Sequence, residues 1–315
     1  MYDAMFKQKL RSRTKQFVKR KVGNSGWARL ITLVVSHRLL RLKNPRTFND
    51  LVQQRMLYDM SPELSWTCDK LAMKEHVSAM GIKARIPDTL WFGEELSDLA
   101  SANLAGRRWV AKPNNSSGSV FFGEGVPDTV TIRDMKGSIG VGITPFDSQG
   151  EWAYSQAQKG FIVEPLLGVP PLPDFKVFVF HGFATFVRVY TGRGVDLHLT
   201  TYDREWNTLT RQKGEPVQRG VERPRFLDNI LADAECIASS FAFMRVDFYV
   251  VDGEHWFGET TPYPAAGRHP TNRDFDYWLG ALWASGSKQA VVNLYPEIAQ
   301  FREGQQRVSL KSNTK

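Results

Sequence analysis

Two stretches of the chain carry residues of the kind that handle phosphate and a divalent cation. Trp109–Lys112 reads as a short strand running directly into Pro113, Asn114, Asn115, Ser116, Ser117, Gly118 and Ser119. A lysine at a strand end meets a phosphate as a point charge, and a Ser/Gly turn can wrap backbone N–H groups around phosphate oxygens, with Gly118 permitting close approach. The loop is not a Walker loop, since no GxxxxGK[ST] occurs, and no GxGxxG opens a helix. Alone, it also reads as a surface turn. The second feature is an acidic pair, Asp247 and Glu259, on two strands that flank Asp252-Gly253. Two carboxylates near a phosphate site are the usual means of holding Mg²⁺, which prefers oxygen ligands and keeps some waters. Register sets a condition. A strict two-residue turn pairs 247 with 258 and sends Glu259 to the other face, so shared coordination predicts a three-residue loop with a G1-type bulge. Without that, the two acids read as ordinary exposed strand residues.

Both features need elements to hold them. Asp69–Met80 has helical spacing, with Leu71, Met73, His76 and Val77 among Lys70, Lys74 and Glu75, and Gly81 stands where such a helix ends. Phe161–Leu167 is a further strand. A Pro-rich link, Val169–Pro173, leads to a hairpin of Lys176–Phe180 and Phe183–Tyr190 about His181-Gly182. Leu227, Ile230, Leu231, Ala234, Ala238 and Phe241 recur at three- and four-residue intervals, the apolar face of a helix. After it, Met244, Val246, Phe248 and Val250 alternate with Arg245 and Asp247, which share the opposite face. The return strand, Glu254–Glu259, ends in a loop of Pro and small residues reaching Gly267.

The chain has 315 residues, 42 % hydrophobic and 23 % charged, close to the soluble average and about two domains long. That excludes wholesale disorder, collagen-like repetition and a membrane-spanning bundle. The apolar stretch Ile31–Val35 is far below the roughly 18 residues that cross a bilayer, and the first 25 residues carry charge where a signal peptide needs an apolar core. Cys68 and Cys236 are too few for a disulfide framework, so a reducing, cytoplasmic setting is expected. Charge is uneven. Residues 1–50 hold thirteen Lys and Arg against Asp3 and Asp50, a balance of +11 that leaves −3 for the rest of the net +8. Such an arm suits an anionic partner, a membrane surface or an acidic polymer, with nucleic acid less favoured. It also reads as a solvated helix face with Met5, Phe6, Leu10, Phe17, Val18 and Val22 packing inward.

One order of motifs then decides the reading: Asp69-Lys70 opening a helix, Trp109-Val-Ala-Lys112-Pro-Asn-Asn-Ser-Ser-Gly118, Ile162-Val-Glu164-Pro-Leu-Leu, Asp174-Phe-Lys176, Arg188, Tyr202-Asp203 to Trp206-Asn207, Arg245-Val-Asp247 and Phe257-Gly-Glu259-Thr-Thr261 to Gly267. Over about residues 65–280 it resembles the ATP-grasp fold and, most closely, the TupA-like ATP-grasp proteins of cell-envelope polymer biosynthesis. The resemblance implies an α+β chain whose two lobes clasp ATP between antiparallel sheets. It implies a first lobe with the phosphate clamp at 65–160 and a second lobe with the adenine hinge and metal site at 161–301; charge and polarity mark off a basic helical region at 1–64 and a polar tail at 302–315.

The resemblance also implies roles. Lys112 is similar to the phosphate-binding lysine, Asn115, Ser116, Ser117, Gly118 and Ser119 to the clamp over the β and γ phosphates, and Lys70 to the second lysine of the pocket. Ile162, Val163 and Glu164 resemble the hinge whose backbone reads adenine, with Leu166 near the ring and Asp174 accepting from ribose hydroxyls. Lys176 and Arg188 would neutralise the transferring phosphate, Arg245 would stabilise the acyl-phosphate and tetrahedral states, and Asp247 with Glu259 would bind Mg²⁺. Thr261 stands where many ATP-grasp ligases carry an asparagine, a third metal ligand, and threonine is a weaker one. The implied reaction is carboxylate–amine ligation through an acyl phosphate, acting on a small-molecule or glycan carboxylate such as a uronic acid or an acidic amino-acid chain. The alternatives are an ATP-grasp phosphotransferase and a non-enzymatic anion-binding protein that uses the basic arm. The histidines show no metal-ligand spacing and read as surface or packing residues; His269, just past the Gly267 loop, has the alternative of meeting an acceptor.

Overall fold

The computed structural model describes residues 21–116, 118–139, 151–212, 215–269 and 271–304. The two alternating runs around Asp252 become the neighbouring strands β8 (Phe243–Val251) and β9 (Glu254–Thr261). With β5 (Asp174–Phe180), β6 (Phe183–Thr191) and β7 (His198–Asp203) they form one antiparallel sheet in the order β7-β6-β5-β8-β9. A smaller antiparallel sheet runs β1-β4-β2-β3, from β1 (Trp91–Gly93), β2 (Arg108–Pro113), β3 (Phe121–Glu124) and β4 (Phe161–Pro165). The helices are α1 (residues 21–36), α2 (Phe48–Tyr58), α3 (Lys70–Ser78), α4 (Thr129–Ser138), α5 (Trp152–Gln156), α6 (Leu227–Ile237), α7 (Arg273–Ala284) and α8 (Lys288–Leu294). The implied α+β architecture with two antiparallel sheets is therefore present.

The lobes are drawn differently from the expected boundaries, and apolar burial is the reason. One core joins Phe48, Val52, Leu64, Met73 and Val77 to the large sheet and to α6 and α7, so α2 and α3 belong with the second lobe. Phe48 seats α2 there, its ring 4.8 Å from Phe243 and 5.7 Å from Trp283. The small lobe has its own core of Leu96, Leu99, Leu104, Trp109, Ala111, Met135, Ile139, Phe161 and Val163. β4 pairs with both β1 and β2, so a cut at 160/161 would split this sheet.

The bulge exists, but elsewhere than the sequence predicts. Asp252 and Gly253, at φ +52° and +79°, make a two-residue turn, with Val251 facing Glu254. Both values suit a type I′ turn, whose twist matches its strands. Regular pairing then runs to Phe248↔Phe257, where the ladder slips by one residue so that Asp247 faces Glu259 and Arg245 faces Thr261. Gly258 is the extra residue. A Cβ there would lie 3.0 Å from the Asp247 carbonyl oxygen, closer than side chains ordinarily sit. The hairpin at His181-Gly182 is as expected, with both residues at positive φ. At the N-terminus, the expectation that Val22 packs inward is not met, since it is exposed. Met5, Phe6, Leu10, Phe17 and Val18 lie outside the described residues, as do Ser117 and the tail from 305. No described helix is long and apolar enough to cross a membrane.

Candidate active site

Register alone lines up a row of charge across the large sheet. Thr201 faces Arg188, Arg188 faces Lys176, Lys176 faces Asp247, and Asp247 faces Glu259, one residue from each of β7, β6, β5, β8 and β9. Directly opposed residues project to the same face. On that face Arg245 grips Asp247 through two parallel bonds, Nε to Oδ1 and Nη2 to Oδ2, each 2.7 Å. Its Nη2 also lies 2.8 Å from Thr261 Oγ1 and 3.6 Å from Glu259 Oε1. Lys176 donates to Asp247 as well, and to Asp174 at 2.9 Å. Burial works against a charged Asp247, yet the two cations outweigh it and hold the carboxyl below its usual range. Asp174, desolvated and near that charge, is pushed up instead, although Lys176 pulls it back.

The small sheet presents charges of its own. Lys112 and Ile162 face each other on β2 and β4, and Val110 faces Glu164, so Lys112, Ile162 and Glu164 share the face opposite to the small core. Lys112 and Lys74 hold the Glu164 carboxylate from either side at 2.6 and 2.5 Å. Burial opposes ionisation of Glu164, and the two lysines override it, keeping its carboxyl low. Beside them, Asn115 and Ser116 are buried, with Asn115 Oδ1 and Ser116 Oγ lacking a hydrogen-bond partner among the described residues. Gly118, at φ +90°, takes the left-handed conformation the loop requires. The two half-sites meet at α3: buried Lys70 feels Glu259 of the large sheet and both Lys112 and Glu164 of the small one. Thr260 Oγ1 donates to the Thr67 carbonyl at 2.9 Å, fixing β9 to the segment that starts this helix.

A model of the family described as TupA-like ATPgrasp matches residues 50–284. The chain belongs to that family. Among solved structures, this ATP-grasp chain is similar to D-cycloserine synthetase DcsG, at 15 % identity and TM-score 0.43 over 75 % of this chain and 72 % of that one. D-alanine–D-alanine ligase from Helicobacter pylori gives 15 % and 0.40, over 79 % and 68 %. The ATP-grasp ligase PsnB, complexed with minimal precursor, Mg and ADP, gives 11 % and 0.40, over 75 % and 61 %. A curated relative, histidinol-phosphatase of Chlorobaculum parvum (strain DSM 263 / NCIMB 8327), is 31 % identical over 86 residues, so the match spans 27 % of this chain and 32 % of that protein.

For several residues the ATP-grasp geometry departs from the sequence reading. Lys70 turns to the backbone of the loop after β2, where its Nζ donates to the carbonyls of Pro113 (2.9 Å), Asn114 (3.3 Å) and Ser116 (2.6 Å). It is a strut for that loop, and desolvation lowers its pKa to about 8. The lysine that joins Lys112 is Lys74, one helical turn on, which the sequence reading passed over although the i, i+4 spacing from Lys70 was visible. Ile162 and Val163 lie between β1 and β2, and the Val163 carbonyl accepts from Leu90 N at 2.8 Å, so their backbone is spent on the sheet. β1 stops level with Val163, so from Glu164 on β4 is paired by β2 alone. The N–H of Leu166 goes to the Arg108 carbonyl at 3.0 Å. Thr261 stands one pair away from the two acids and accepts from Arg245 rather than completing a metal set.

The donor set suits Mg²⁺ and ATP. Asp247 and Glu259 offer oxygens only, on one face, beside cations that can turn to a phosphate, and Asn115 Oδ1, Ser116 Oγ and Asp174 Oδ1 are buried acceptors without a bond among the described residues. No described group of three or more His, Cys, Asp and Glu is placed to hold a metal.

Beyond Arg188 the row continues into a second polar cluster. Arg188 Nη2 lies 3.0 Å from Glu215 and its Nη1 3.0 Å from His269 Nε2. His269 is thus joined to the row by Arg188. Glu151, partly buried next to Arg268, is pushed up to about 7 by desolvation, against the pull of that arginine. A carboxyl whose folded pKa is raised contributes stability that is fully present below its unfolded pKa and lost as pH rises through the folded one. Glu151→Gln is therefore expected to flatten the stability profile between about pH 4.5 and 7, with a gain on the order of 2 kcal/mol over wild type at pH 8 relative to pH 4. Urea unfolding at both pH values checks this, and parallel profiles for the two proteins would remove Glu151 from the account.

Proposed function

We propose that this chain is an ADP-forming, Mg²⁺-dependent carboxylate–amine ligase. The observation that carries the reading is the Gly258 bulge, which sets Asp247 and Glu259 side by side among Arg245 and Lys176, while Lys74 and Lys112 meet on Glu164 of the small sheet. Lys112, Lys74 and the Asn115–Ser119 loop hold the phosphates, Ile162 and the edge from Glu164 to Leu166 meet the base, and Asp174 keeps one oxygen for the ribose. Mg²⁺, held by Asp247 and Glu259, supplies charge neutralisation at the phosphates when bound. A substrate carboxylate attacks the γ-phosphorus and ADP departs. An amine then attacks the acyl carbon, inorganic phosphate leaves, and the surplus amine proton is released. Arg245, Lys176 and Arg188 are fixed in advance where negative charge gathers, which is how such sites lower barriers. The Arg188–His269–Glu215 cluster receives the acceptor.

The substrate fits a cell-surface polysaccharide acid, either a uronic acid that is amidated or an acidic amino-acid chain that is extended. ATP as co-substrate supports action in the cytoplasm. The test is thermal unfolding with Mg-ATP, then with uronic acids and amino acids added, followed by product analysis. At a hundred times the dissociation constant, ATP is expected to stabilise the fold by about 2.7 kcal/mol. Turnover is expected to yield ADP, phosphate and an amide. Absence of any nucleotide-linked shift refutes the proposal, and phosphate transferred to a hydroxyl makes the chain a phosphotransferase instead.

A further inference from the structure

Among the described residues, the outer face of α1 is apolar and uncovered, and it stands in the most basic part of the described chain. At 100° per residue, Val22, Leu30, Leu33 and Val34 fall in one sector, each between 40 and 61 % exposed. On the opposite side Ala28 and Thr32 are buried, while Val35, in the last turn there, is 59 % exposed. Leu39, just past the helix, is 75 % exposed. The segment is held in place rather than trailing: Ala28, Leu40 and Leu42 form a small core against Leu57 of α2, Ser25 Oγ lies 2.8 Å from Tyr58 Oη, and Arg38 pairs with Asp50. Between residues 21 and 46 there are six cations, Lys21, Arg29, Arg38, Arg41, Lys43 and Arg46, and no acid.

We propose that residues 21–46 seat the protein on an anionic membrane surface. A bilayer rich in acidic lipid satisfies both features, taking the aliphatic stripe into the headgroup–acyl boundary and the cations onto lipid phosphates. Nucleic acid or an acidic polymer would use the cations and leave the stripe in water. A second copy of the chain would cover the stripe but bring two basic surfaces together. In this proposal the helix lies in the interface rather than across it, since its described part is not long and apolar enough to span a bilayer. The anchor is independent of the ligase reading, and its test uses no nucleotide.

The full chain is sedimented with vesicles of phosphatidylcholine alone and of phosphatidylcholine with a third phosphatidylglycerol, at low and high salt. Binding is expected to the acidic vesicles only and to be released by salt. Leu30→Asp with Leu33→Asp is expected to weaken it about tenfold or more. Arg41→Gln and Lys43→Gln are each expected to weaken it about fivefold. All four positions are exposed, so the unfolding midpoint serves as the control for folding. Equal binding to neutral vesicles, or none to acidic ones, overturns the proposal. So does binding to the acidic vesicles that survives the double leucine change, with duplex DNA or polyglutamate held at the same salt dependence, which makes the region a polymer-binding arm. A dimer in sedimentation that Leu33→Asp dissociates makes the stripe a self-association face.

Discussion

Arg245→Ala is expected to lower kcat/KM for ATP-dependent phosphate release by about 10²- to 10³-fold, the loss typical of removing one fixed donor at a site of developing charge. The same change is expected to cost about 3 kcal/mol of folding stability in urea. That value is the low end for breaking a buried ion pair, because Lys176 remains beside the carboxylate. Asp247 is almost fully buried and takes both of its 2.7 Å arginine bonds from this one side chain, so the alanine leaves a desolvated charge with half its support. Arg245→Lys separates the two effects. An ammonium restores charge but not the fork, so it is expected to recover part of the stability while turnover stays at least about tenfold down. An alanine variant that works like wild type would remove Arg245 from the site.

Glu259→Gln is expected to give the opposite pattern, a loss of about 10²- to 10³-fold in turnover with little change in stability. Its side chain is 32 % exposed and its ion pair with Arg245 is long, at 3.6 Å, an arrangement worth at most about 1 kcal/mol. The amide keeps the shape and removes the charge that would face a cation. A second readout comes from binding: the part of the ATP-induced thermal shift that requires Mg²⁺ should vanish, while the part due to the lysines should persist. If the Mg²⁺-dependent part survives in the glutamine variant, Glu259 and Asp247 do not share a metal.

Much of this site was legible along the chain because its parts are local. The strand ending at Lys112, the turn at Gly118, the helix begun by Asp69 and the alternation from Met244 to Val250 each announce themselves by period or by residue type. Their order carried the family, and the match over residues 50–284 agrees with it. Lys70 shows where local reading stops. A lysine after a helix cap looks the same whether it serves a ligand or a loop, and only the carbonyls of Pro113, Asn114 and Ser116 reveal which. The hinge is a similar case, since nothing in Ile162-Val163 tells that strands on both edges consume their backbone bonds.

The bulge draws the line most sharply. Sequence by itself required that something break the two-residue period between Asp247 and Glu259 if the acids were to act together, since pleating alternates side chains between faces. It could not say where, because a slip at the turn and a slip at Gly258 satisfy the same parity. Tertiary packing decided it: Asp252-Gly253 fits a tight turn, the aromatic pairs behind it hold register to Phe257, and the residue without a side chain absorbs the slip next to Asp247. The lobes followed the same logic. Residue pattern marks which side chains must be buried, but which sheet buries α2 and α3 depends on where apolar surface is available in three dimensions, and that surface lies on the larger sheet.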